Sequence, residues 1–398
     1  MTWAARITLC LCVALCGGPV RGQVVMRGGE PAPPGEVAGV SLEGVLVASG
    51  PDDRVLIGWD RVSRVEGEWA DEAAAFSDVS DRAWRARSRL IRGDMPAAEP
   101  LFEELFPRYE GRIGPTAALV AEGLLRCRLR RGAVASAVPA WLATLNAVAG
   151  RDDQPRPLHA DWSRLAGLAP SIDPQTGLCP ALPPIWLDWP AVQAFAGASA
   201  PQVGGDAAPA AAEKVEMLRS LYAHAARFEC GTAGAFEFPQ SEDQGVRLVV
   251  DIVQARTGDA AARAEAKSRL QARLAEPAPG WVQAWCRCAI GRSLVREPDE
   301  RQRRLGVIEL LWLPATHDRG HPYLTGLALA EAAATLDELG DAGGAAVLRR
   351  EFETGYKGHP ASEWKPRDAA RGARGSLAPK PATLAPGPGT GVGHADPS

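Results

Sequence analysis

A pattern of special positions recurs 39 residues apart, and this recurrence limits the possible folds more than any other feature of the chain. From Asp81 to Phe106 the sequence runs DRAWRARSRLIRGDMPAAEPLFEELF, which reads as two short helices joined by a Gly-Asp turn. Ala83, Ala86 and Leu90 recur at i, i+3 and i+7 with Trp84 and Ile91 beside them, making one apolar stripe of period 3.6. Arginines fill the other face. Gly93 suits the left-handed conformation that ends a helix, and Pro96 suits the first turn of the next, where its missing N–H has no partner to lose. The second helix is expected to bury Ala98, Leu101, Phe102 and Leu105. Gly93, Ala98, Pro100 and Phe102 map onto Gly132, Ala137, Pro139 and Trp141, while Leu90 and Arg92 map onto Leu129 and Arg131. A period of this size is the signature of stacked helical hairpins, each burying its apolar face only against its neighbours.

A small residue followed four places later by an aromatic, behind a Gly-Asp turn, resembles the tetratricopeptide repeat, on Gly93, Asp94, Ala98 and Phe102. The last candidate unit matches in part: Leu329, Ala333 and Leu336 precede Gly340 and Asp341, and Ala345 follows. The chain departs from that family at Arg85, where leucine is preferred, at Trp84, two places late, and at Arg349, which replaces the aromatic. Its period is also longer than the family's value of about 34. The resemblance spans about half of the chain. It implies an α-solenoid of antiparallel helical hairpins with an extended inner surface for a protein or peptide partner.

Read from its start, the chain opens with what looks like an export signal over residues 1–22. Arg6 supplies charge, Ile7 to Cys16 an apolar core, and Val20-Arg21-Gly22 small residues at a cleavage point. The core is too short for a bilayer-spanning helix of about 20 residues. A lipid anchor on Cys16 is the weaker reading, because Leu15 is a poor residue before a lipidated cysteine. Removing 22 of the 398 residues leaves 376, and losing Arg6 and Arg21 takes the formal charge from −4 to −6. A mildly acidic chain lacks the basic footprint of a dedicated nucleic-acid binder.

Residues 23–36 read as a leader rich in Pro and Gly. Residues 37–68 hold the β pattern: Val45 and Val47 alternate with Leu46 and Ala48, a turn falls at Gly50 to Asp53, and Val55, Ile57 and Trp59 alternate again. With Val40, Leu42, Val62 and Val65 three or four strands are possible, a sheet too small to be stable by itself and expected either to sit on the first helices or to form a small barrel of SH3-like size. Asp60, Arg61 and Arg64 are expected as solvated strand-end charges. Helical hairpins fill 77–150. Residues 151–212 divide into a proline-rich segment, read as a strap with Trp186 and Trp189 buried against the helices or, as the functional alternative, as an exposed docking motif, and a loop of small residues from Ala194 to Ala212. Hairpins resume over 213–360, with stripes at Val215, Leu218, Leu221 and Tyr222, and at Val246, Val249, Val250 and Val253. Leu270 and Leu274 mark a partner helix. A further pair carries Trp281, Trp285 and Ala289 on one helix and Leu305, Ile308, Leu311 and Trp312 on the other, which Pro314 is expected to stop. The final pair runs from Tyr323 to Tyr356. Residues 361–398 lack apolar periodicity and are expected to be disordered, apart from a docking role for Trp364.

Chemistry-bearing side chains are sparse. Five cysteines follow the signal, Cys127, Cys179, Cys230, Cys286 and Cys288, an odd number that cannot pair completely. Cys179 and Cys230 fall outside the helical stripes and are the pair available for a disulfide. Cys286 and Cys288 lie about 200° apart around a helix, poor geometry for chelation, and read as buried small hydrophobes. His317, Asp318 and His321 are the one clustered set of metal-type side chains, set in a loop between Pro314 and Pro322. No nucleophile elbow, phosphate-binding glycine loop or helical zinc-protease motif is present. No catalytic, cofactor or metal residue is assigned. Two readings remain: an exported interaction or scaffolding protein of the cell envelope, and an exported hydrolase or enzyme accessory with a cleft between the helices and the proline-rich segment.

Overall fold

A computed structural model describes residues 22–51, 53–149, 156–157, 171–185, 192–193, 209–317 and 320–362. The export signal, Trp186, Trp189, Asp318, the tail from residue 363 with Trp364, and most of the loop expected after Ala194 lie outside the described residues.

Five strands come first: β1 (Gln23–Met26), β2 (Glu36–Ser41), β3 (Gly44–Ala48), β4 (Arg54–Ile57) and β5 (Val62–Glu66). The predicted hairpin is β3–β4, paired antiparallel with Val45 opposite Ile57 and Val47 opposite Val55, so that one face carries the buried valines. β2 joins its other edge, and β6 (Arg156–Pro157) lies parallel along β4. β1 pairs antiparallel with β5, which corrects the reading of residues 23–36 as a leader. The valines of β1 give it a face to bury, and Val24 and Met26 are buried.

Twelve α-helices follow among the described residues: α1 (Ala70–Ala74), α2 (Ser77–Ile91), α3 (Met95–Tyr109), α4 (Pro115–Arg130), α5 (Val134–Ala147), α6 (Pro209–Cys230), α7 (Gln244–Thr257), α8 (Ala260–Ala275), α9 (Gly280–Leu294), α10 (Glu300–Thr316), α11 (Pro322–Glu338) and α12 (Ala342–Gly355). α1 packs on β5, and from α2 onward neighbouring helices pack consecutively, an arrangement compatible with a helical repeat. Helix α6 starts inside the loop expected up to Ala212. No described helix is long and apolar enough to cross a membrane.

The 39-residue recurrence is structural. Gly93 and Gly132 both take positive φ, at 77° and 76°. At each turn the glycine N–H donates to the carbonyl three residues back and the following N–H to the carbonyl five back, which closes the helix with a Schellman motif. The same bonds recur at Gly231 and Gly340. One more correspondence accompanies these turns. Arg89 Nη1 reaches across its turn to Ala97 O at 2.8 Å, and Arg128 Nη1 reaches Ser136 O at 2.7 Å, again 39 residues on. Phe102 and Trp141 are fully buried, as are Ala98 and Ala137. Gly123 permits close approach beside them, because a Cβ there would lie 2.2 Å from the Phe102 ring.

The sheet sits on the first helices through polar clasps. Trp59 stacks on Phe76 at 4.9 Å and donates Nε1–H to Ser41 O, while Tyr109 Oη donates to Leu42 O. Glu43 Oε2 accepts the Ala117 N–H at 3.0 Å, so a residue of the β2–β3 turn caps the N-terminus of α4. Burial pushes the Glu43 carboxyl up to about 7 against the opposing pull of that N–H and of Arg112.

Three side-chain placements differ from expectation. Asp60 is buried, held by Arg87 and Arg61, and its carboxyl is raised by burial against the pull of those two arginines. Trp84 and Ile91 lie on the exposed side of α2. On α10 the expected stripe points outward: Leu305, Ile308 and Trp312 are 42%, 54% and 44% exposed, and the packed face is Gly306, Val307, Leu310 and Leu313. Apolar residues surround α10, so periodicity alone does not choose its face. The glycines do. Gly291 and Gly306 bring α9 and α10 so close that a Cβ on either would lie 2.8 Å from Leu310 or Val295. Pro314 does not stop this helix, which continues to Thr316: the proline removes the single N–H that would pair with Leu310 O, and the ladder closes beyond it with the His317 N–H on Leu313 O.

Candidate functional site

Of the proline-rich segment, residues 171–185 pack against the helices, and this described stretch is called the strap below. Asp173 opens it with a turn in which its Oδ1 accepts the Thr176 N–H at 2.8 Å and its carbonyl accepts the Gly177 N–H at 2.8 Å. From there to Ile185 the segment has few main-chain partners of its own. Three further carbonyls pair within the segment, Leu178 O with the Asp173 N–H, Cys179 O with the Leu182 N–H and Pro183 O with the Ile185 N–H, and five more are taken by side chains of four helices. Lys214 Nζ of α6 donates to Thr176 O at 2.8 Å, and Trp141 Nε1 of α5 to Gly177 O at 3.0 Å. Trp285 Nε1 of α9 donates to Pro180 O at 3.1 Å, and the hydroxyls of Tyr222 (α6) and Tyr323 (α11) donate to Leu182 O and Ile185 O, each at 2.5 Å. Leu178, Cys179, Leu182 and Ile185 are buried beneath. Ser171 ties the start of the strap to Glu122 of α4, a buried carboxyl pushed up by burial and drawn down by Arg126.

Under the end of the strap lies a charged crevice lined by Pro184, Ile185, Glu229, Arg256, Thr257 and Arg292, among others. Two arginines and two glutamates form a closed square across four helices. Arg256 Nε and Arg292 Nη2 both donate to Glu229 Oε1 at 3.1 Å; Arg256 Nη1 reaches Glu331 Oε1 at 3.2 Å and Arg292 Nε reaches Glu331 Oε2 at 2.6 Å. Arg292 is 1% exposed. Burial alone would raise Glu229, but Arg256 and Arg292 overcome it and hold the carboxyl at about 2. Burial would lower Arg292; Glu331 and Glu229 instead hold it above its ordinary value. Arg296 caps the square by donating to Arg256 O and lies over the Phe228 ring, and burial with neighbouring arginines lowers it to about 10. The two arginines and two glutamates of the square neutralise one another, and the crevice admits roughly one water molecule. It offers neither a poised acid nor room for a substrate.

The residues singled out in the sequence do not converge. Cys127, Cys179, Cys286 and Cys288 are buried thiols pushed up to about 12 by burial, the opposite of a nucleophile or metal ligand. Cys179 takes part in no disulfide; it is a buried residue of the strap itself, while Cys230 ends α6, partly exposed. His317 and His321 flank the α10–α11 turn with ring centroids 6.0 Å apart. Burial lowers both, as does Arg287 for His317, a cation unfavourable to a metal beside it. No group of three metal-type side chains gathers among the described residues. No family model, curated protein or solved structure gives a significant match to the chain.

Proposed function

We propose that this chain is an exported helical-repeat protein, a tetratricopeptide-like α-solenoid, that serves as an interaction or scaffolding module in the cell envelope. The observation that carries this reading is the outward stripe on α10. Leu305, Ile308 and Trp312 are exposed along one side of a helix whose opposite face is already packed, with the Arg287 guanidinium over the Trp312 ring, and exposed apolar side chains grouped on one helix face support a protein-binding surface. The repeated Schellman turns and the paired Arg89 and Arg128 bonds support the solenoid. The alternative, a hydrolase cleft between array and strap, has its counterpart in the charged crevice, where every carboxylate and guanidinium is already engaged.

The test is affinity capture from the native envelope fraction, with the chain from Gln23 onward as bait and an Ile308→Glu, Trp312→Glu variant beside it. A partner recovered by the first bait and lost with the second is expected; identical recoveries would remove the stripe as the binding surface. Intact-mass measurement of the exported product checks the export step. Loss of residues 1–22 is expected, and a retained Met1 or a lipid mass on Cys16 would contradict it.

A further inference from the structure

The strap is bound the way a peptide ligand is bound. In helices and sheets, main-chain carbonyls are satisfied by main chain; here those of Thr176, Gly177, Pro180, Leu182 and Ile185 are satisfied by Lys214, Trp141, Trp285, Tyr222 and Tyr323. The donors come from both sides of the strap in sequence and ignore its side chains, so another segment following the same path would receive the same bonds. Selection falls to a few apolar side chains, Leu178, Leu182 and Ile185, all buried. Pro180, Pro183 and Pro184 bring no N–H that needs an acceptor. The surface is also cut to fit main chain. A Cβ on Gly245 would lie 2.3 Å from Thr176 O.

We propose that the path along α5, α6, α9 and α11 is a peptide-binding groove, and that residues 176–185 are its resident occupant. The competing ligand is a proline-containing, non-helical segment of a partner protein, with apolar side chains at the spacing of Leu178, Leu182 and Ile185. Because the resident is covalently attached, it competes at high effective concentration, and the groove answers a partner only by the fraction of time it is vacant. This surface is separate from the stripe on α10, so loss of either leaves the other standing.

The experiment uses the full chain and a fluorescent peptide spanning Ser171–Ile185. Leu178→Asp with Leu182→Asp in the chain weakens the resident and leaves every donor in place. The peptide is expected to bind this variant at least about tenfold more tightly than wild type, and a peptide carrying the same two aspartates is expected not to bind. Equal affinities for folded variant and wild type would overturn the proposal. Should circular dichroism show the variant unfolded, the wild-type chain decides: a peptide with a benzophenone side chain in place of Leu178, at millimolar excess, is expected to crosslink to α5, α6, α9 or α11. Absence of those adducts would overturn it as well.

Discussion

Single residues carry the two joints of this molecule. Phe102 and Trp141 fill equivalent places in successive hairpins, and truncating either to alanine is expected to cost about 3 to 5 kcal/mol in chemical denaturation. Gly123→Ala tests the same spot from the other side. Its Cβ would drive into the Phe102 ring, and overpacking of that kind costs about 1 to 3 kcal/mol. Glu43 governs the joint between sheet and helices and makes it sensitive to pH. Between the ordinary carboxylate value of 4.5 and about 7, the folded chain keeps a proton that the unfolded chain has released, so stability falls as pH rises through that window. Glu43→Gln still accepts the Ala117 N–H and cannot ionise. Its thermal midpoint is expected to fall less than that of wild type between pH of about 5 and 7.5; parallel curves would place the proton elsewhere. Some of this scale was legible beforehand, because Phe102 and Trp141 stand at matching positions of a repeat. Glu43 was not, since its partner Ala117 lies 74 residues away.

At the scale of elements, the hairpins were legible because their stripes have one period and their turns one glycine each. The charged square is also written in the chain. Glu229, Arg256, Arg292 and Glu331 stand seven residues after Tyr222, Val249, Trp285 and Leu324, all buried stripe positions, so each charge extends an apolar stripe. A charge in that register must find a partner or stay out of the core. Glu331→Ala leaves Arg292 buried with half its partners and is expected to cost about 3 to 5 kcal/mol, measured by urea unfolding. The face of α10 was beyond the pattern, because it is decided by the close approach of Gly291 and Gly306 on paired helices. Replacing Ile308 with glutamine is therefore expected to change stability by no more than about 0.5 kcal/mol, whereas Leu310→Ala is expected to cost about 2 to 5 kcal/mol. A large loss from the Ile308 variant would mean that the stripe is covered.

Over the whole molecule, the strap joins what the sequence separates. On a chain made from its N-terminus, Thr176 to Ile185 appear after Trp141 but before every other donor. Pro180 waits for Trp285, 105 residues on, and Ile185 for Tyr323, 138 residues on. Contacts over such separations form late, after the local pairing within hairpins. In refolding followed by pulsed hydrogen exchange, amides of α9 to α12 are expected to gain protection before those of Leu178 and Leu182; the reverse order would make the strap a template for the helices. If the strap does lock last, a chain halted in synthesis before α11 carries Ile185 without its Tyr323 partner. The segment that completes the fold is then also the one longest at risk of aggregation while the protein is being made.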